Sequence, residues 1–308
     1  MTESSIDSSV THLYDIWRNY RKGKKRTVEM NEFEFDLEEN LLKLSEDLKN
    51  GAYCHGEYRQ FEINEGKKRI VSVASVRDRI VQRLVGEFLQ KLLDKKINYD
   101  AWSGRTNKGL LKAIRRAQTF AKKHRNFLVM KIDIKKFFDS VSHKYLDSIL
   151  NKQIEDRKAL DLCLQIVRSF NEKTGVGMPI GNVTSQIFSH LYFSSVDKLL
   201  SDGGHMFIRY GDDILIFCEN ISSLKEVKEK TGLAIKKIDL TINKKSSYFC
   251  KVKKGIRFLG CQIFPKGRRL QKCVKRRAVA RLNIRNASSY ADLFQKHHKF
   301  MLELGYDN

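Results

Sequence analysis

The sequence predicts an α+β protein in which amphipathic helices are combined with a few short apolar strands. Two runs are typical of strands, Phe127 to Ile134 and Phe207 to Phe217, and the second is broken at Gly211-Asp212-Asp213, as at a hairpin tip. Residues 31–50 place leucines at helical spacing before Gly51, which indicates an amphipathic helix with a glycine C-cap. At 308 residues the chain is near the upper limit for one hydrophobic core, so we expect two or three subdomains.

Three further segments complete the predicted element order. Residues 108–125 have an apolar stripe beside a basic one, and residues 145–169 and 185–200 also have helical sequence. The tail, residues 266–285, carries nine Lys and Arg side chains and no acid, so we expect a basic arm or helix there. The chain has only two prolines and no Pro- or Ser-rich linker, so the subdomains are expected to share one continuous fold.

The composition excludes several classes of protein. With 41% hydrophobic and 31% charged residues the chain is expected to be soluble and globular, not disordered. No apolar run approaches the roughly 20 residues of a membrane span, and the N-terminus lacks the pattern of a secretory signal. The six cysteines are scattered, without a CxxC pair or zinc spacing, so we expect reduced thiols and a cytoplasmic location.

The charge balance indicates a polyanionic partner. Lys and Arg outnumber Asp and Glu by 59 to 36, which gives a net charge of +23, and nucleic acid is the first candidate. The alternative is an ordinary lysine-rich surface in water. Locally, no acid occurs between Asp100 and Asp133, so the helix at 108–125 has a face of one sign that suits phosphates.

In so basic a chain, the exposed acids are the informative residues. Asp133 follows the apolar strand FLVMKI, and Asp212 and Asp213 are adjacent at the predicted hairpin tip. Adjacent carboxylates repel each other, and a cation compensates them. Three carboxylates from neighbouring strands form an oxygen-only site suited to Mg²⁺, and two such ions about 3.5–4 Å apart promote phosphoryl transfer. The alternative is a simple polar turn.

Four ordered motifs resemble the palm of reverse transcriptases: KIDIKKFFDSVSH, GMPIGNVTSQIF, IRYGDDILIF and FLGCQIF. Upstream, RIVSVASVRDRIVQRLV is similar to the fingers motif of bacterial enzymes related to group II introns. The resemblance extends from about Leu13 to Leu282 and implies a right-hand polymerase fold. We expect fingers with N-terminal helices at residues 1–125, a palm with an antiparallel sheet at 126–264, in which 150–184 partly returns to the fingers, and a short helical thumb or basic segment at 265–308.

The resemblance implies catalytic roles for Asp133, Asp212 and Asp213. These carboxylates, together with the backbone carbonyl of Ile134, would bind two Mg²⁺ ions, for which Mn²⁺ can substitute. In the later string LTINKKSSYF, Lys244 and Lys245 lie one or two residues early for the general-acid lysine of the family, so the sequence does not select between them.

The resemblance also implies a nucleotide-binding set. Arg69 matches the fingers arginine that grips the triphosphate, where a planar guanidinium suits phosphate oxygens. Lys67 or Lys68 would replace the usual fingers lysine. Phe138 matches the steric gate that occupies the space of a ribose 2′-OH, although the same residue could simply pack in the core. The remaining members of the nucleotide-binding set are Ile180, Gly181, Gln186 and Lys245.

Other residues are expected to contact the template–primer duplex. They lie in the basic segment after residue 104, in the FLG motif and in the basic tail. They are Arg105, Lys108, Lys112, Arg115, Phe258, Leu259, Gly260, Arg276, Arg277 and Arg281.

The second motif indicates the subclass. Most related enzymes have PQGxxxSP, whereas this chain has Pro179-Ile180-Gly181 followed by NVTSQ, which resembles the reverse transcriptases of diversity-generating retroelements. That family copies a template RNA with errors at adenines. Glutamine at position 180 could hydrogen-bond the incoming nucleotide and isoleucine cannot, so selection would loosen by about ten- to a hundredfold. The alternative is that Ile180 only packs and that fidelity is ordinary.

The resemblance also implies partners. They are a structured template RNA, the RNA–cDNA duplex, deoxynucleoside triphosphates and a small basic accessory protein, which can be oligomeric. No membrane partner is expected. Only 48 residues follow the FLG motif in this sequence, so we expect a short thumb and no maturase or endonuclease region there.

Three alternatives remain open at this stage. An RNA-dependent RNA polymerase shares the palm and the GDD hairpin; Phe138 argues against it, while the neighbouring Asp139 keeps it open. A compact reverse transcriptase of a phage-defence system has ordinary fidelity. A catalytically inactive RNA-binding scaffold would not need three clustered carboxylates.

Overall fold

The computed structural model describes residues 5–64, 68–170 and 174–281. These ranges contain twelve α-helices: α1 (Val10–Arg21), α2 (Val28–Phe35), α3 (Leu37–Asn50), α4 (Val76–Leu93), α5 (Leu110–Lys123), α6 (Phe137–Ser140), α7 (His143–Gln153), α8 (Arg157–Arg168), α9 (Val183–Tyr192), α10 (Ser194–Asp202), α11 (Ile221–Lys237) and α12 (Lys272–Ala280). They also contain nine strands: β1 (Arg59–Asn64), β2 (Lys68–Val73), β3 (Leu128–Ile132), β4 (Met206–Tyr210), β5 (Asp213–Cys218), β6 (Tyr248–Lys251), β7 (Ile256–Phe258), β8 (Cys261–Phe264) and β9 (Gly267–Leu270).

The chain forms two compact units, and neither is a continuous stretch of sequence. Unit 1 combines residues 1–98 with 135–195 and 237–240, and unit 2 combines 99–134, 196–236 and 241–308. This interleaving agrees with the lack of a linker in the sequence. The division into two compact units does not by itself identify fingers, palm or thumb. The predicted boundaries between those regions therefore stay predictions.

Unit 1 is mainly helical. Helix α1 buries Leu13, Ile16, Trp17 and Tyr20 along one side. Helix α4 begins at the Ser75 cap, and most of its length is buried. Gly86 allows α4 to pack closely on α9, since a side chain there would come within 3.3 Å of Val183. The antiparallel hairpin of β1 and β2 pairs Ile63 with Arg69.

Unit 2 contains the predicted antiparallel sheet. Its strands lie in the order β4-β5-β3-β6, and a second sheet has the order β7-β8-β9. The apolar stripe of α5 fills the core through Ile114, Ala117 and Ala121, with Phe217 and Phe258 among the residues packed around it. The predicted hairpin around residues 211–213 is confirmed, because β4 and β5 pair antiparallel on either side of it. Mixed helices and antiparallel sheets confirm the α+β class.

The predicted helix at 31–50 is wrong in one respect. It is two helices, α2 and α3, that meet at Asp36, whose backbone leaves the helical region (φ −110°, ψ 43°). The amide of Asn40 donates to the carbonyl of Phe33 across this break at 3.1 Å. Helix α3 ends as expected at Gly51, which adopts φ +70°.

Two other helical predictions need the same correction. Residues 145–169 divide into α7 and α8, because Asp156 caps α8 by accepting from the Ala159 N–H at 3.1 Å. Residues 185–200 divide into α9 and α10 at Phe193. Hydrophobic periodicity alone does not locate the boundary between two short consecutive helices, because the capping residues that define it do not follow the helical period.

The basic tail is also not a single arm. Its first part is strand β9, in which Arg268 is buried, and its second part is α12. Residues 282–285, which belong to the same prediction, lie outside the described residues.

Two expectations concern the chain as a whole. None of the described helices combines the length and the apolar character that a membrane span requires. All six cysteines fall within the described ranges, and none of them forms a disulfide there.

Candidate active site

The three predicted catalytic aspartates come together at one end of the four-stranded sheet. Ile132, the last residue of β3, pairs with Ile214 of β5. One step further in this register sets Asp133 opposite Asp213, which is the first residue of β5 and pairs with Tyr210. Gly211 turns the chain with φ +63°, a conformation that glycine adopts without strain, and so places Asp212 at the tip.

Burial and like charge oppose ionisation at this tip. Burial, and then the charges of Asp213 and Asp133, raise the pKa of Asp212 to about 6. Burial also raises the pKa of Asp213, against the effect of Lys131. The Nζ of Lys131 lies 2.7 Å from Oδ1 of Asp213, an ion pair in which that oxygen accepts no well-aligned hydrogen bond. Lys131 therefore opposes the rise in pKa at both Asp212 and Asp213, and does not cancel it.

Asp133 is held by the loop that precedes β6. The Asn243 side chain donates to Asp133 Oδ2 at 3.0 Å, and the Ser246 hydroxyl donates to the same oxygen. The Asp133 N–H donates to Ser247 Oγ at 3.0 Å, and the Asn243 N–H donates to the Asp133 carbonyl at 2.8 Å. These bonds fix one carboxylate oxygen of Asp133 and leave Oδ1 without any of them.

This loop was missed by sequence reasoning, which considered only its lysines. Lys244 and Lys245 are exposed, whereas Asn243, Ser246 and Ser247 turn inward to Asp133. The signal that could have found them is a cluster of small polar residues directly after the Ile242 position, where the chain bridges Ile134.

The donor set fits a hard divalent cation by its chemistry. Its side chains are all carboxylates, which are oxygen ligands that Mg²⁺ prefers, and their mutual repulsion would be relieved by the ion. Within the described ranges, no group of three or more His, Cys, Asp or Glu side chains is arranged as a ready metal site. Asp133, Asp212 and Asp213 thus provide the right ligands without forming a closed cage.

A buried ion pair supports the turn. The guanidinium of Arg209, on β4, donates to both oxygens of Asp197 at 2.8 and 2.6 Å, and both side chains are almost fully buried. A further nitrogen of Arg209 donates to the Gly211 carbonyl at 3.2 Å. This pair, which sequence reasoning also missed, fixes the backbone that carries Asp212.

The described members of the predicted nucleotide-binding set, other than Lys245, lie in unit 1. The Phe138 ring is half-buried, whereas its neighbour Phe137 is buried. The carbonyl of Phe138 accepts from the Met178 N–H at 2.7 Å, which links it to the segment that carries Ile180 and Gly181. Ile180 is half-buried and Gly181 adopts φ +111°.

The other members of this set are less closely grouped. Arg69 lies on β2, opposite Ile63. Lys68 is exposed and pairs with Glu62 at 3.1 Å. Gln186 is exposed on α9. Lys67 lies outside the described residues.

Most of the predicted duplex-binding residues are on the surface of unit 2. Lys112, Arg115, Arg276, Arg277 and Arg281 are exposed. Arg105 donates to the Ala101 carbonyl at 3.0 Å, and Lys108 lies over the Tyr99 and Trp102 rings at 3.7 and 4.2 Å.

The FLG motif needs a correction at Phe258. Its ring is buried in the core of unit 2, so this residue could contact a duplex only through its backbone. Leu259 and Gly260 form a turn with φ +46° and +78°.

Comparison with known families identifies the class of protein. Residues 55–263 match the family model described as "Reverse transcriptase (RNA-dependent DNA polymerase)", which covers most of the chain. The protein therefore belongs to the reverse transcriptase family.

Individual relatives are more distant. The chain is 29% identical over 171 residues to the "Putative COX1/OXI3 intron 2 protein" of Saccharomyces cerevisiae, a match that covers 53% of this chain and 20% of that protein. It is 25% identical over 175 residues to the "Group II intron-encoded protein LtrA" of Lactococcus lactis subsp. cremoris, covering 53% and 28%. The chain thus spans less than a third of the length of these two relatives.

A solved structure shows the same fold. The structure of apo telomerase from Candida tropicalis superposes with a TM-score of 0.54 at 14% identity, over 71% of this chain and 49% of that one. The likeness confirms the polymerase fold class that the motifs predict.

Proposed function

We propose that the protein is an RNA-directed DNA polymerase that copies a retroelement RNA into cDNA. The observation that carries this proposal is the group of three carboxylates at one end of the sheet, with the pKa of Asp212 raised to about 6. A protein that only binds RNA has no need of crowded acids in a chain of net charge +23.

The residues divide the chemical work. Asp133, Asp212 and Asp213, with the carbonyl of Ile134, would hold Mg²⁺ or Mn²⁺. When bound, these ions supply Lewis-acid activation of the attacking hydroxyl and of the leaving phosphate oxygen. Arg69 grips the triphosphate, and the Phe138 ring excludes a ribose 2′-OH. Exposed Lys and Arg side chains hold the template–primer phosphates.

The test is primer extension by the purified protein. We expect Mg²⁺-dependent synthesis from deoxynucleotides on an RNA template with an annealed primer, and no synthesis in EDTA. Extension with ribonucleotides alone would identify an RNA polymerase instead. RNA binding without any extension would leave an RNA-binding scaffold and reject the proposal.

The finer proposal is that the enzyme belongs to a diversity-generating retroelement and errs at template adenines. It is supported by the string from Ile180 to Gln186, and by the half-buried Ile180 where most relatives have a hydrogen-bonding glutamine. Pairs of a template adenine or uracil have only two hydrogen bonds, so they should suffer before G·C pairs when positioning weakens. The preference for adenine over uracil is taken from the resemblance to this family. A small basic accessory protein and a structured RNA would complete the system in the cytoplasm, where cysteines outside disulfides remain reduced.

Sequencing of cDNA tests this subclass. We expect wild-type errors mainly opposite adenines, and severalfold fewer errors in Ile180→Gln on the same RNA. Equal error rates at all four bases in the wild type would reject mutagenic copying and leave a compact reverse transcriptase of ordinary fidelity. If Ile180→Gln makes as many errors at adenines as wild type, the proposed subclass would stand, but Ile180 would not be the cause of the errors.

A further inference from the structure

Unit 1 contains a partly buried polar network centred on the hydroxyl of Tyr58. The amide of Asn182 donates to this hydroxyl at 2.8 Å, and the amide of Gln82 donates at 3.4 Å. His55 Nε2 and Ser169 Oγ each lie 3.3 Å from it. Four side chains from separate parts of the sequence therefore meet at one oxygen.

The network continues from His55 to a buried carboxylate. His55 Nδ1 lies 3.9 Å from Oδ2 of Asp78, which is 1% exposed. The Tyr53 hydroxyl donates to Asp78 at 2.8 Å, and the Ser75 hydroxyl at 2.7 Å. Buried polar groups that are connected in this way fix one arrangement, because each broken bond would leave a desolvated group without a partner.

Asn182 is the member that reaches the predicted selectivity segment. It is the N-cap residue of α9, and asparagine is among the best N-caps because its side chain usually accepts from the first turn of its own helix. Here the side chain makes no such bond and is turned to Tyr58 instead. Because Asn182 bonds to a distant residue and not to its own helix, we infer that the hydrogen bond to Tyr58 has a specific role in the structure.

The segment between Met178 and Asn182 is consequently held at both ends. Its first end is tied to Phe138 by the Met178 N–H, and the Ser185 hydroxyl donates to the Pro179 carbonyl at 2.8 Å. Its second end is tied to Tyr58 through Asn182. Gly181 lies between these ties with φ +111° and approaches Val71 of β2, with 3.7 Å between Val71 Cγ1 and the position of a Cβ.

We propose that Tyr58, acting through Asn182, is a positioning residue that sets the placement of Ile180 and Gly181 and thereby nucleotide selection. The inference rests on the proposed polymerase function. Tyr58 does not touch the nucleotide in this role; it fixes the backbone that does. Loss of its hydroxyl should loosen discrimination between correct and incorrect nucleotides more than it slows correct incorporation.

The test compares Tyr58→Phe with the matched control Tyr53→Phe. Each change deletes one buried hydroxyl from the same network, but only Tyr58 contacts Asn182. Single-nucleotide incorporation on an RNA template–primer gives kcat and KM for the correct and for an incorrect deoxynucleotide. Discrimination is the kcat/KM for the correct nucleotide divided by that for the incorrect one. We expect Tyr58→Phe to reduce it by roughly fivefold, mainly through the KM values, and Tyr53→Phe to leave it within about twofold of wild type.

Asn182→Ala extends the test and replaces Tyr58→Phe if that variant is insoluble. It should reduce discrimination similarly, and the double variant should be no worse than the poorer single variant, since both break one contact. Equal effects of Tyr58→Phe and Tyr53→Phe, or additive effects of Tyr58→Phe and Asn182→Ala, would overturn the inference. A wild type that fails to extend any primer would reject the polymerase function itself, whereas an active wild type matched by Tyr58→Phe in discrimination would reject only the role of Tyr58.

Discussion

Asp78 in unit 1 and Asp212 in unit 2 are both largely buried acids, but their surroundings differ. Asp78 accepts hydrogen bonds from the hydroxyls of Tyr53 and Ser75 and from the Gly56 N–H. Asp212 stands beside two other carboxylates, Asp213 and Asp133, and its pKa is raised to about 6 by burial and by their charges. The first acid accepts hydrogen bonds from several donors of the fold, whereas burial and two neighbouring acids outweigh the backbone amide and Lys131 at the second.

The difference separates a carboxylate that stabilises the fold from a group of carboxylates that is suited to binding a ligand. A buried carboxylate with its donors in place holds one conformation and needs nothing further. Crowded carboxylates cost stability until a cation or a proton arrives, which is the arrangement expected of a site that works with divalent ions. The Tyr58 network should thus control precision, and the aspartate cluster should control chemistry.

The largest expected effect concerns the aspartate cluster. Asp133→Ala or Asp212→Ala should abolish Mg²⁺-dependent DNA synthesis on an RNA template while RNA binding stays near wild type, because carboxylates hold the ions and the basic surface holds the phosphates. Asp202→Ala, at an exposed acid of unit 2, is the control and should leave both unchanged. Primer extension and filter binding give the two readouts. Activity within roughly tenfold of wild type in either active-site variant would contradict the two-metal assignment.

The next effect concerns the loop that holds Asp133. Loss of charge-assisted hydrogen bonds in Asn243→Ala or Ser246→Ala should lower activity by about ten- to a hundredfold. The Mg²⁺ concentration for half-maximal activity should rise as well, since a less fixed carboxylate binds the ion more weakly. Ser246→Thr keeps the hydroxyl and should restore most of both. A variant that loses activity at every Mg²⁺ concentration to the same extent, with thermal stability lowered in parallel, would indicate a purely structural loop.

The sequence predicted that the three aspartates come together, and the reason is local. Each lies at the end of an apolar strand run, so the strand pattern itself places the acids together once the sheet forms. Asn243 and Ser246 could not be predicted in this way, because their role depends on a loop that folds back over 110 or more residues onto Asp133. Tyr58 and Asn182 are separated by 124 residues, and no periodicity connects them.

The helical elements show the same limit. Periodicity located the apolar faces of α3 and α5, where the stripe positions Leu41, Leu44 and Ala117 are buried. It did not detect the break at Asp36, and it could not tell that Phe258 would enter the core rather than face a duplex. Such outcomes are decided by tertiary packing.

A selectivity effect of intermediate size is expected at Phe138. Phe138→Ala should open space for a 2′-OH and increase ribonucleotide incorporation by about tenfold or more, while chain extension with deoxynucleotides continues. The buried neighbour provides a contrast: Phe137→Ala should mainly lower thermal stability, since that ring packs against Phe193 and Tyr192. Parallel primer extension with ribo- and deoxynucleotides measures the ratio. A Phe138→Ala variant that rejects ribonucleotides as strongly as wild type would place the gate elsewhere.

A smaller effect is expected from the basic side chains of α12 and its end. Neutralising Arg276, Arg277 and Arg281 should reduce the slope of log K against log salt for duplex binding by about 0.7–0.9 for each phosphate that is no longer neutralised. The control neutralises three exposed lysines of α11, Lys225, Lys228 and Lys236, and should leave the slope nearly unchanged. Equal slopes for the α12 variant and wild type would show that this helix faces solvent or a protein partner.

The smallest expected effect returns to Asp212 and compares the metal-free protein at two pH values. Because the folded state raises the pKa of this carboxyl to about 6, its protonated form is favoured by folding. This contribution to stability is present at pH values below the ordinary pKa near 4, and it is lost as the pH rises through about 6. Asp212→Asn removes the charge that folding disfavours, so in EDTA it should raise the melting temperature by about 2–4 °C at pH 7.5 and by much less at pH 4.5. Asp202→Asn, at an exposed acid outside the cluster, should show no such dependence on pH. An equal shift at both pH values, or a lower melting temperature of Asp212→Asn at pH 7.5, would contradict this expectation. It would mean that groups such as Lys131 balance the charge of the cluster even without metal. The contrast with Asp78 would then no longer hold.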